Sequence, residues 1–204
     1  MPILTLQPDE SNGIDTSIIS WVPNTPRGTD ASFYTGNDGG NIGRGLIKFD
    51  LSSILHGAIV KSAVLTLTSV YVWAGYSGVL KIYRLKRPWV EAEATWNVYA
   101  SGLNWQTAGG FGVNDCDQTE IGSATYNSAL PVGTLCNVTL SPLLIMDVIN
   151  EKFVNGFLLK GSTEVPGTLA TWGSSNSGSN APKLVIDYAP GDSAAMSDSE
   201  ESIM

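Results

Sequence analysis

Two glutamates, Glu91 and Glu93, stand between Trp89 and Trp96 in the segment PWVEAEATWN, residues 88–97. Paired carboxylates beside aromatic rings are the residue types of a glycosidase, which uses one as acid and the other as base or nucleophile. Those two carboxyl groups must face each other across a sugar, roughly 5 to 9.5 Å apart. In an extended segment, residues 91 and 93 point to the same side. We therefore predict that this pair is not an active site and that the chain is not an enzyme.

Other residue types that carry catalysis are sparse. His56 is the single histidine and lies in a predicted turn, and the sequence has no Gly-x-Ser-x-Gly segment and no zinc-spaced His/Cys cluster. The run GGNIGRG, residues 39–45, is similar to a phosphate loop but lacks Gly-Lys-Ser/Thr and leads into a predicted strand. We interpret it as a turn.

The two cysteines, Cys116 and Cys136, can pair with each other, but two cysteines in 204 residues do not make a disulfide framework. Cys116 stands between Asp115 and Asp117, whose charges disfavour a thiolate. We predict no reactive thiol at this position.

Four aromatic residues are candidates for carbohydrate binding, because the face of a ring packs well against the C–H face of a pyranose. Trp73 and Tyr76 belong to the turn YVWAGYSG, and Trp105 and Phe111 flank a glycine-rich loop. The alternative for Trp73 is a core position, since it continues the alternation of Leu67 and the residues after it.

No cofactor is predicted, although a structural calcium ion is compatible with the sequence. Calcium requires several hard oxygen ligands, which Asp15, Asn37, Asp38 and Asp187 could supply. Their spacing does not define a calcium loop, and solvated Asp and Asn in turns are the alternative explanation.

Short β-strands must position these residues. Runs rich in β-branched and aromatic residues, separated by Gly, Asn, Ser and Pro, predict strands. The predicted strands cover residues 16–21, 45–50, 60–72, 78–85, 134–140, 155–160, 168–173 and 183–189. The stretches 22–44 and 97–133 are predicted to be long irregular connections.

Alternation is clearest in the run 60–72, where Ala63, Leu65, Leu67 and Tyr71 share one face. The same reasoning predicts a core contributed by several segments: Leu46 or Ile47, Phe49, Leu65, Leu67, Ile82, Trp96, Val138, Phe157, Leu159 and Ile186.

One segment, SPLLIMDVINEKF at residues 141–153, predicts a helix instead. Ser141 suits the N-cap position, Pro142 suits the first helical position, and Asn155-Gly156 follows as a stop. Apolar residues at helical spacing complete the pattern. We predict an all-β fold, a two-sheet antiparallel jelly-roll-like sandwich with one short helix.

Composition excludes several partners. The net charge is −8, with 11 basic and 19 acidic residues, whereas a nucleic-acid-binding protein needs a basic surface to neutralise phosphates. No stretch of 18 or more apolar residues is present, so we predict no membrane span. The N-terminal residues lack the basic and apolar regions of a secretory signal. We expect either a protein that is made and used without export or a mature sequence recloned behind a new Met.

The chain divides into an N-terminal arm (1–13), a β-sandwich domain (14–189) and an acidic C-terminal tail (190–204). The tail, PGDSAAMSDSEESIM, shows no strand or helix pattern. Its residues are either a solubilising extension or an arm that docks on a neighbouring subunit. The docking hypothesis assigns the partner contacts to Asp198, Glu200, Glu201, Ile203 and Met204.

An ordered series of stretches resembles a known domain family. The series consists of Ile14-Asp15-Thr16, RGLIKFDLSSI (44–54), GAIVKSAVLTL (57–67), Trp89-Val90-Glu91 with Ala94-Thr95-Trp96-Asn97, Val138-Thr139, NGFLL (155–159), Ser174-Ser175 and Pro182-Lys183-Leu184. Together they resemble the DNRLRE-type domains, also grouped as carbohydrate-binding module family 96, although the hexapeptide that names the family is absent. The resemblance implies a jelly-roll-like sandwich whose tryptophans pack the fold and in which Glu91 hydrogen-bonds near a strand start.

Two functions follow as expectations. The first is a structural or adhesive virion protein, such as a bacteriophage decoration or tail-associated protein, made in the host cytoplasm and assembled with other virion proteins or with copies of itself. The second is a carbohydrate-binding module of a secreted, extracellular protein that binds polysaccharide. Neither is catalytic.

Overall fold

The computed structural model describes residues 2–9, 11, 13–150 and 155–191. The predicted docking residues of the tail, Asp198, Glu200, Glu201, Ile203 and Met204, lie outside these residues.

The described residues are almost entirely β-structure, as predicted. The strands are β1 (Ile3–Leu6), β2 (Ile14–Ile19), β3 (Ser32–Asp38), β4 (Asn41–Lys48), β5 (Ile59–Thr68), β6 (Ser77–Arg84), β7 (Val98–Ala100), β8 (Leu103–Asn104), β9 (Gly122–Asn127), β10 (Leu135–Leu140), β11 (Phe157–Gly161), β12 (Ala170–Gly173) and β13 (Lys183–Ala189). A single α-helix, α1 (Pro142–Ile149), and a short 3-10 turn, Ser175–Asn180, complete the described elements.

Antiparallel pairing joins the strands in the order β1-β13-β5-β10-β9-β6-β11-β4-β3-β12, with β2 also paired to β4. This path curls back on itself, because Ser69, just after β5, forms a bridge with Trp172 of β12. The last strand of the path, β12, therefore returns to β5 near the other end, and the strands enclose an interior as the layers of a sandwich. The hairpin β7-β8 forms a separate two-stranded sheet.

Two apolar clusters hold the sandwich together. The main core lies inside the curled sheet and includes Leu65, Ile82 and Phe157. The second cluster lies on the opposite face, where Leu46 and Leu158 pack beneath the segment after β6. Strands β4 and β11 are thus buried on both faces, which explains why both members of the predicted pair Leu46 and Ile47 are buried.

All eight strands predicted from the sequence are present in the structure, and most of the predicted core residues are buried. Two positions were wrong. Strand β5 ends at Thr68, so its alternation does not extend to Tyr71, which is exposed rather than on the core face. Trp96 is half-buried, because it lies over the guanidinium of Arg44 at the margin of the second cluster.

The predicted connections contain additional strands. Strand β3 falls in the stretch 22–44, and β7, β8 and β9 fall in the stretch 97–133. Strand β1 lies in the N-terminal arm and extends the sheet beside β13.

The predicted helix is present as α1, and residues 151–153 of its predicted range lie outside the described residues. Ser141 precedes α1, and its carbonyl oxygen accepts the first helical hydrogen bond, from Ile145 N. Ile145 and Ile149 are buried in the main core, so the apolar stripe anchors the helix against the sheet. None of the helices in the described residues is long and apolar enough to cross a membrane.

Candidate functional site

Three aromatic rings form a cluster in the connection between β5 and β6. The rings of Trp73 and Tyr76 are stacked, with centroids 5.7 Å apart and planes 14° apart. The ring of Tyr71 lies against Trp73 at 4.9 Å with a 53° tilt. Tyr71 is 54% exposed, and Trp73 and Tyr76 are half-buried. We call these three residues the aromatic platform.

Hydrogen bonds to distant segments fix the orientation of two of these rings, Trp73 and Tyr76. Trp73 Nε1 donates to Thr171 Oγ1 (2.9 Å), and the hydroxyl of Tyr76 donates to Asp38 Oδ1 (2.7 Å). The bond to Asp38 raises the pKa of Tyr76 above its ordinary value, so this hydroxyl stays protonated at neutral pH. Rings held in this way present a preorganised surface, and little side-chain freedom is lost when a ligand binds.

The chemistry of the platform is that of stacking. Aromatic faces attract the C–H faces of sugar rings. Sequence reasoning named Trp73 and Tyr76 but omitted Tyr71, which it placed on the strand face shared with Leu65 and Leu67. The spacing Tyr71-x-Trp73 in the same turn is a signal that could have added it.

The other two predicted carbohydrate-binding residues occupy a different place. Trp105 is 4% exposed, and its Nε1 donates to the carbonyl oxygen of Thr95 (2.9 Å). Phe111 packs edge-on against Tyr83, with centroids 4.8 Å apart. Both rings belong to the second apolar cluster, so we assign them a packing role.

A cationic pair lies beside Phe111. Arg44 makes two parallel hydrogen bonds to the carboxylate of Glu164 (2.8 and 2.7 Å) and a third to the carbonyl oxygen of Gly109. Lys160 Nζ lies 3.8 Å from the same carboxylate and 4.9 Å from the ring centroid of Phe111. Burial lowers the pKa of Lys160, although the carboxylate of Glu164 partly opposes this. One carboxylate therefore compensates two buried cations.

Glu91 and Glu93 lie in a turn, not in the extended segment that was assumed for them. Glu93 N and Ala94 N both donate to Val90 O, which closes the turn. Each carboxylate accepts a hydrogen bond from a backbone amide: Glu91 from Asp15 N (2.9 Å) and Glu93 from Ser101 N (2.8 Å). The bond from Glu91 to the first residues of β2 is the one that the family resemblance implied.

Asp15 is the most perturbed carboxyl group of this region. It is 2% exposed and accepts a hydrogen bond from Ser175 N (2.7 Å) through Oδ2, while Oδ1 has no partner among the described residues. Burial raises the pKa of Asp15 to about 6, and the nearby carboxylate of Glu91 adds to the effect. Burial also raises the pKa of Glu91.

Three of the four predicted calcium ligands have side-chain hydrogen bonds to separate parts of the protein. Asp15 binds Ser175, Asp38 binds Tyr76, and the side chain of Asn37 bonds to the backbone of Gly40 and Glu164. Asp187 lies on β13, between Ile3 and Ser62. Among the described residues, no group of three or more His, Cys, Asp and Glu side chains is arranged to hold a metal ion.

Cys116 and Cys136 are free and buried, and do not pair. Burial raises the pKa of the Cys116 thiol to about 12 and that of Cys136 to about 11. Both are therefore protonated at neutral pH, as expected for thiols that pack as small apolar groups.

Comparison with protein families gives one assignment. Residues 24–186 match the family described as the disaggregatase related repeat domain. The chain belongs to this family. The match agrees with the β-sandwich that the sequence predicted, while the finer resemblance to DNRLRE-type domains remains a prediction. No curated protein matches the chain.

In this disaggregatase-related repeat domain, the matched span leaves out β1 and β2. Both strands are nevertheless integral to the sheet, β1 through β13 and β2 through β4. Asp15 of β2 is also held by Glu91 and Ser175, which lie within the match. Three of the stretches that carried the sequence resemblance, those with Asp15, Glu91 and Ser175, are thus joined by hydrogen bonds at Asp15.

Proposed function

We propose that this chain is a non-catalytic adhesive β-sandwich that binds polysaccharide through the aromatic platform. The observation that supports the proposal is the exposure of the Tyr71 ring next to the stacked pair of Trp73 and Tyr76. Glu91 and Glu93, the residue types of a glycosidase, each accept a hydrogen bond from a backbone amide instead. Binding without turnover is the function that this arrangement favours.

Replacing Tyr71 with alanine should weaken polysaccharide binding roughly 10-fold, because a stacking face is lost. A glycan array would identify the preferred polysaccharide, and titration calorimetry would measure the affinity. Tyr71→Phe is the matched control, since it keeps the ring, and it should bind nearly as well as the parent. Equal affinity of Tyr71→Ala and the parent would contradict the proposal, as would a parent protein that binds no polysaccharide.

For the setting of this activity we propose a virion, in which the sandwich is a structural component that assembles with copies of itself or with other virion proteins. Strand β1 supports assembly. It ends the strand path, and within the described residues no strand pairs with its second edge. The backbone groups of an unpaired strand edge can pair with a strand of another chain. Ile3 of β1 is 65% exposed and adds an apolar side chain to this edge strand.

Ile3→Lys should reduce self-association, because a lysine on an edge strand opposes pairing with another strand. Light scattering would measure the mass in solution, and the melting temperature of the separated subunits should not change. Leu55→Lys, at an exposed turn position, is the control and should assemble like the parent. A parent protein that is monomeric at all concentrations would contradict assembly through β1.

A further inference from the structure

Strand β1 is paired along one edge, and the alternation of its backbone groups identifies the residues that face the other. It is joined to β13, and Tyr188 N donates to Pro2 O (3.3 Å) in the same register. In an antiparallel ladder, the N–H and C=O groups of successive residues point to opposite edges. Because Pro2 faces β13, Leu4 and Leu6 face it as well.

The N–H and C=O groups of Ile3 and Thr5 therefore point away from β13. Within the described residues no strand pairs with this second edge. Strand β1 has the sequence ILTL, carries no charged side chain and pairs with β13 without a bulge. Charged residues and bulges are common means by which edge strands resist pairing with another chain. The edge is short, but no residue of β1 opposes a further strand.

The apolar side chains of β1 are incompletely covered on both faces of the sheet. Leu4 and Leu6 pack against the main core but are only half-buried, and Ile3 on the opposite face is 65% exposed. These side chains stay partly in contact with water because the sheet ends at β1. A strand added at this edge would cover them, and the burial of apolar surface is stabilising.

We infer that the added strand is β1 of a second copy of this chain, antiparallel to the first and related to it by a two-fold axis at Leu4. The inference rests on the proposed assembly through β1 and deepens it by naming the partner and the register. Ile3 of each copy then exchanges two backbone hydrogen bonds with Thr5 of the other copy. Every N–H and C=O group at the open edge gains a partner, and the two Leu4 side chains meet on the core face.

Self-complementarity and charge favour this occupant. The next antiparallel register places Thr5 opposite Thr5 but moves Ile3 opposite Gln7, which lies outside β1. The Gln7 side chain already donates to the carbonyl oxygens of Ser179 and Ala181. The first register keeps all of its hydrogen bonds within the strand. Each chain has a net charge of −8, so copies repel each other, and an uncharged strand is where their backbones can approach.

Disulfide trapping of Leu4→Cys in the full chain tests the register. Residues that face each other in a non-hydrogen-bonded antiparallel pair have Cα atoms about 4.5 Å apart, and disulfides span about 4.4 to 6.8 Å. Under mild oxidation this variant should form a covalent dimer. Leu6→Cys is the matched control, because two copies of residue 6 would lie about 13 Å apart along the strands, and it should form roughly tenfold less dimer. Cys116 and Cys136 are buried, so the parent protein should form no covalent dimer.

Thr5→Pro tests the hydrogen bonds separately from the fold. The N–H of Thr5 points to the open edge, so proline removes a bond to the second copy and none to β13. In the Leu4→Cys background it should reduce the covalent dimer roughly fivefold or more. Thr5→Ala keeps the N–H and is the matched control, which should dimerise like Leu4→Cys alone. Hydrogen exchange of the Ile186 amide reports the pairing of β1 with β13 and should be the same in both variants.

The outcomes separate this inference from the proposed function. If the parent self-associates and Ile3→Lys prevents it, but Leu4→Cys forms no more covalent dimer than Leu6→Cys, the two-fold register is wrong and assembly through β1 stands. Equal amounts of dimer with Thr5→Pro and Thr5→Ala would also overturn the inference. If Leu4→Cys dimerises as expected while Tyr71→Ala leaves polysaccharide affinity intact, the platform is wrong and the pairing of β1 stands. A monomeric parent together with a monomeric Leu4→Cys variant would overturn both the inference and the proposed assembly.

Discussion

Replacing Glu164 with glutamine should lower the free energy of unfolding by about 3–5 kcal/mol, the cost of removing one partner from a buried ion pair. Glu164 accepts two hydrogen bonds from Arg44, and its carboxylate lies 3.8 Å from Lys160 Nζ. Glutamine has a similar shape but no charge, so both cations would remain buried without compensation. Urea denaturation, followed by tryptophan fluorescence, would measure the change.

Two further variants show whether the charge is responsible. Adding Lys160→Met to Glu164→Gln should recover part of the loss, because one uncompensated cation is replaced by an apolar side chain that can pack on Phe111. Glu120→Gln breaks the solvent-exposed pair with Lys81 and should leave the free energy of unfolding nearly unchanged. A Glu164→Gln protein as stable as the parent would show that the buried cations do not depend on this carboxylate.

Asp15 should make the fold less stable as pH rises from about 4 to about 6. The ordinary pKa of aspartate is about 3.9, whereas burial raises that of Asp15 to about 6 in the folded chain. Within this window the folded chain holds a proton that the unfolded chain releases, so the free energy of unfolding falls with rising pH. Two pKa units correspond to about 3 kcal/mol, and above pH 6 the full penalty remains.

Asp15→Asn should remove this dependence and stabilise the protein at pH 7 by up to about 2–3 kcal/mol. The amide oxygen of asparagine can still accept the hydrogen bond from Ser175 N, whereas no carboxylate is left to ionise. Denaturation curves at pH 4.5, 5.5, 6.5 and 7.5 would measure the slope. Asp15→Ala should also flatten the slope but be less stable than Asp15→Asn, because it loses the bond to Ser175. If Asp15→Asn keeps the slope of the parent, another group carries it.

The strands with an alternating pattern could be predicted from the sequence, because one face of each meets the main core. Strand β3 could not, since its sequence SFYTGND reads as a turn. Gly36 in this strand has a φ of 99°, and a Cβ added there would lie 1.9 Å from the carbonyl oxygen of Thr168. A glycine is needed here because the segment before β12 approaches the backbone of β3 closely. This contact exists only in the folded chain and leaves no pattern in the local sequence.

The candidate site was predictable only where it is local in sequence. Trp73 and Tyr76 are three residues apart in one turn, and this proximity was enough to pair them. Their hydrogen-bond partners, Asp38 and Thr171, lie far away in the sequence. Ser128, whose carbonyl oxygen accepts a hydrogen bond from Trp73 N, directly follows β9, which the sequence pattern did not predict. Contacts between such distant segments leave no periodic pattern in the sequence, so they could not be predicted from it.

The hydrogen bonds at Asp15 also constrain the order of folding. Its partner Ser175 is 160 residues away, and β1 pairs with β13 across a similar span, as Leu4 meets Ile186. Contacts of such high sequence separation slow folding, because a long loop must close before they form. β1 is synthesised well before β13, so it cannot pair until residues 184–187 have left the ribosome. In that interval the backbone groups of β1 have no strand partner, and chaperone binding to this strand would matter most then.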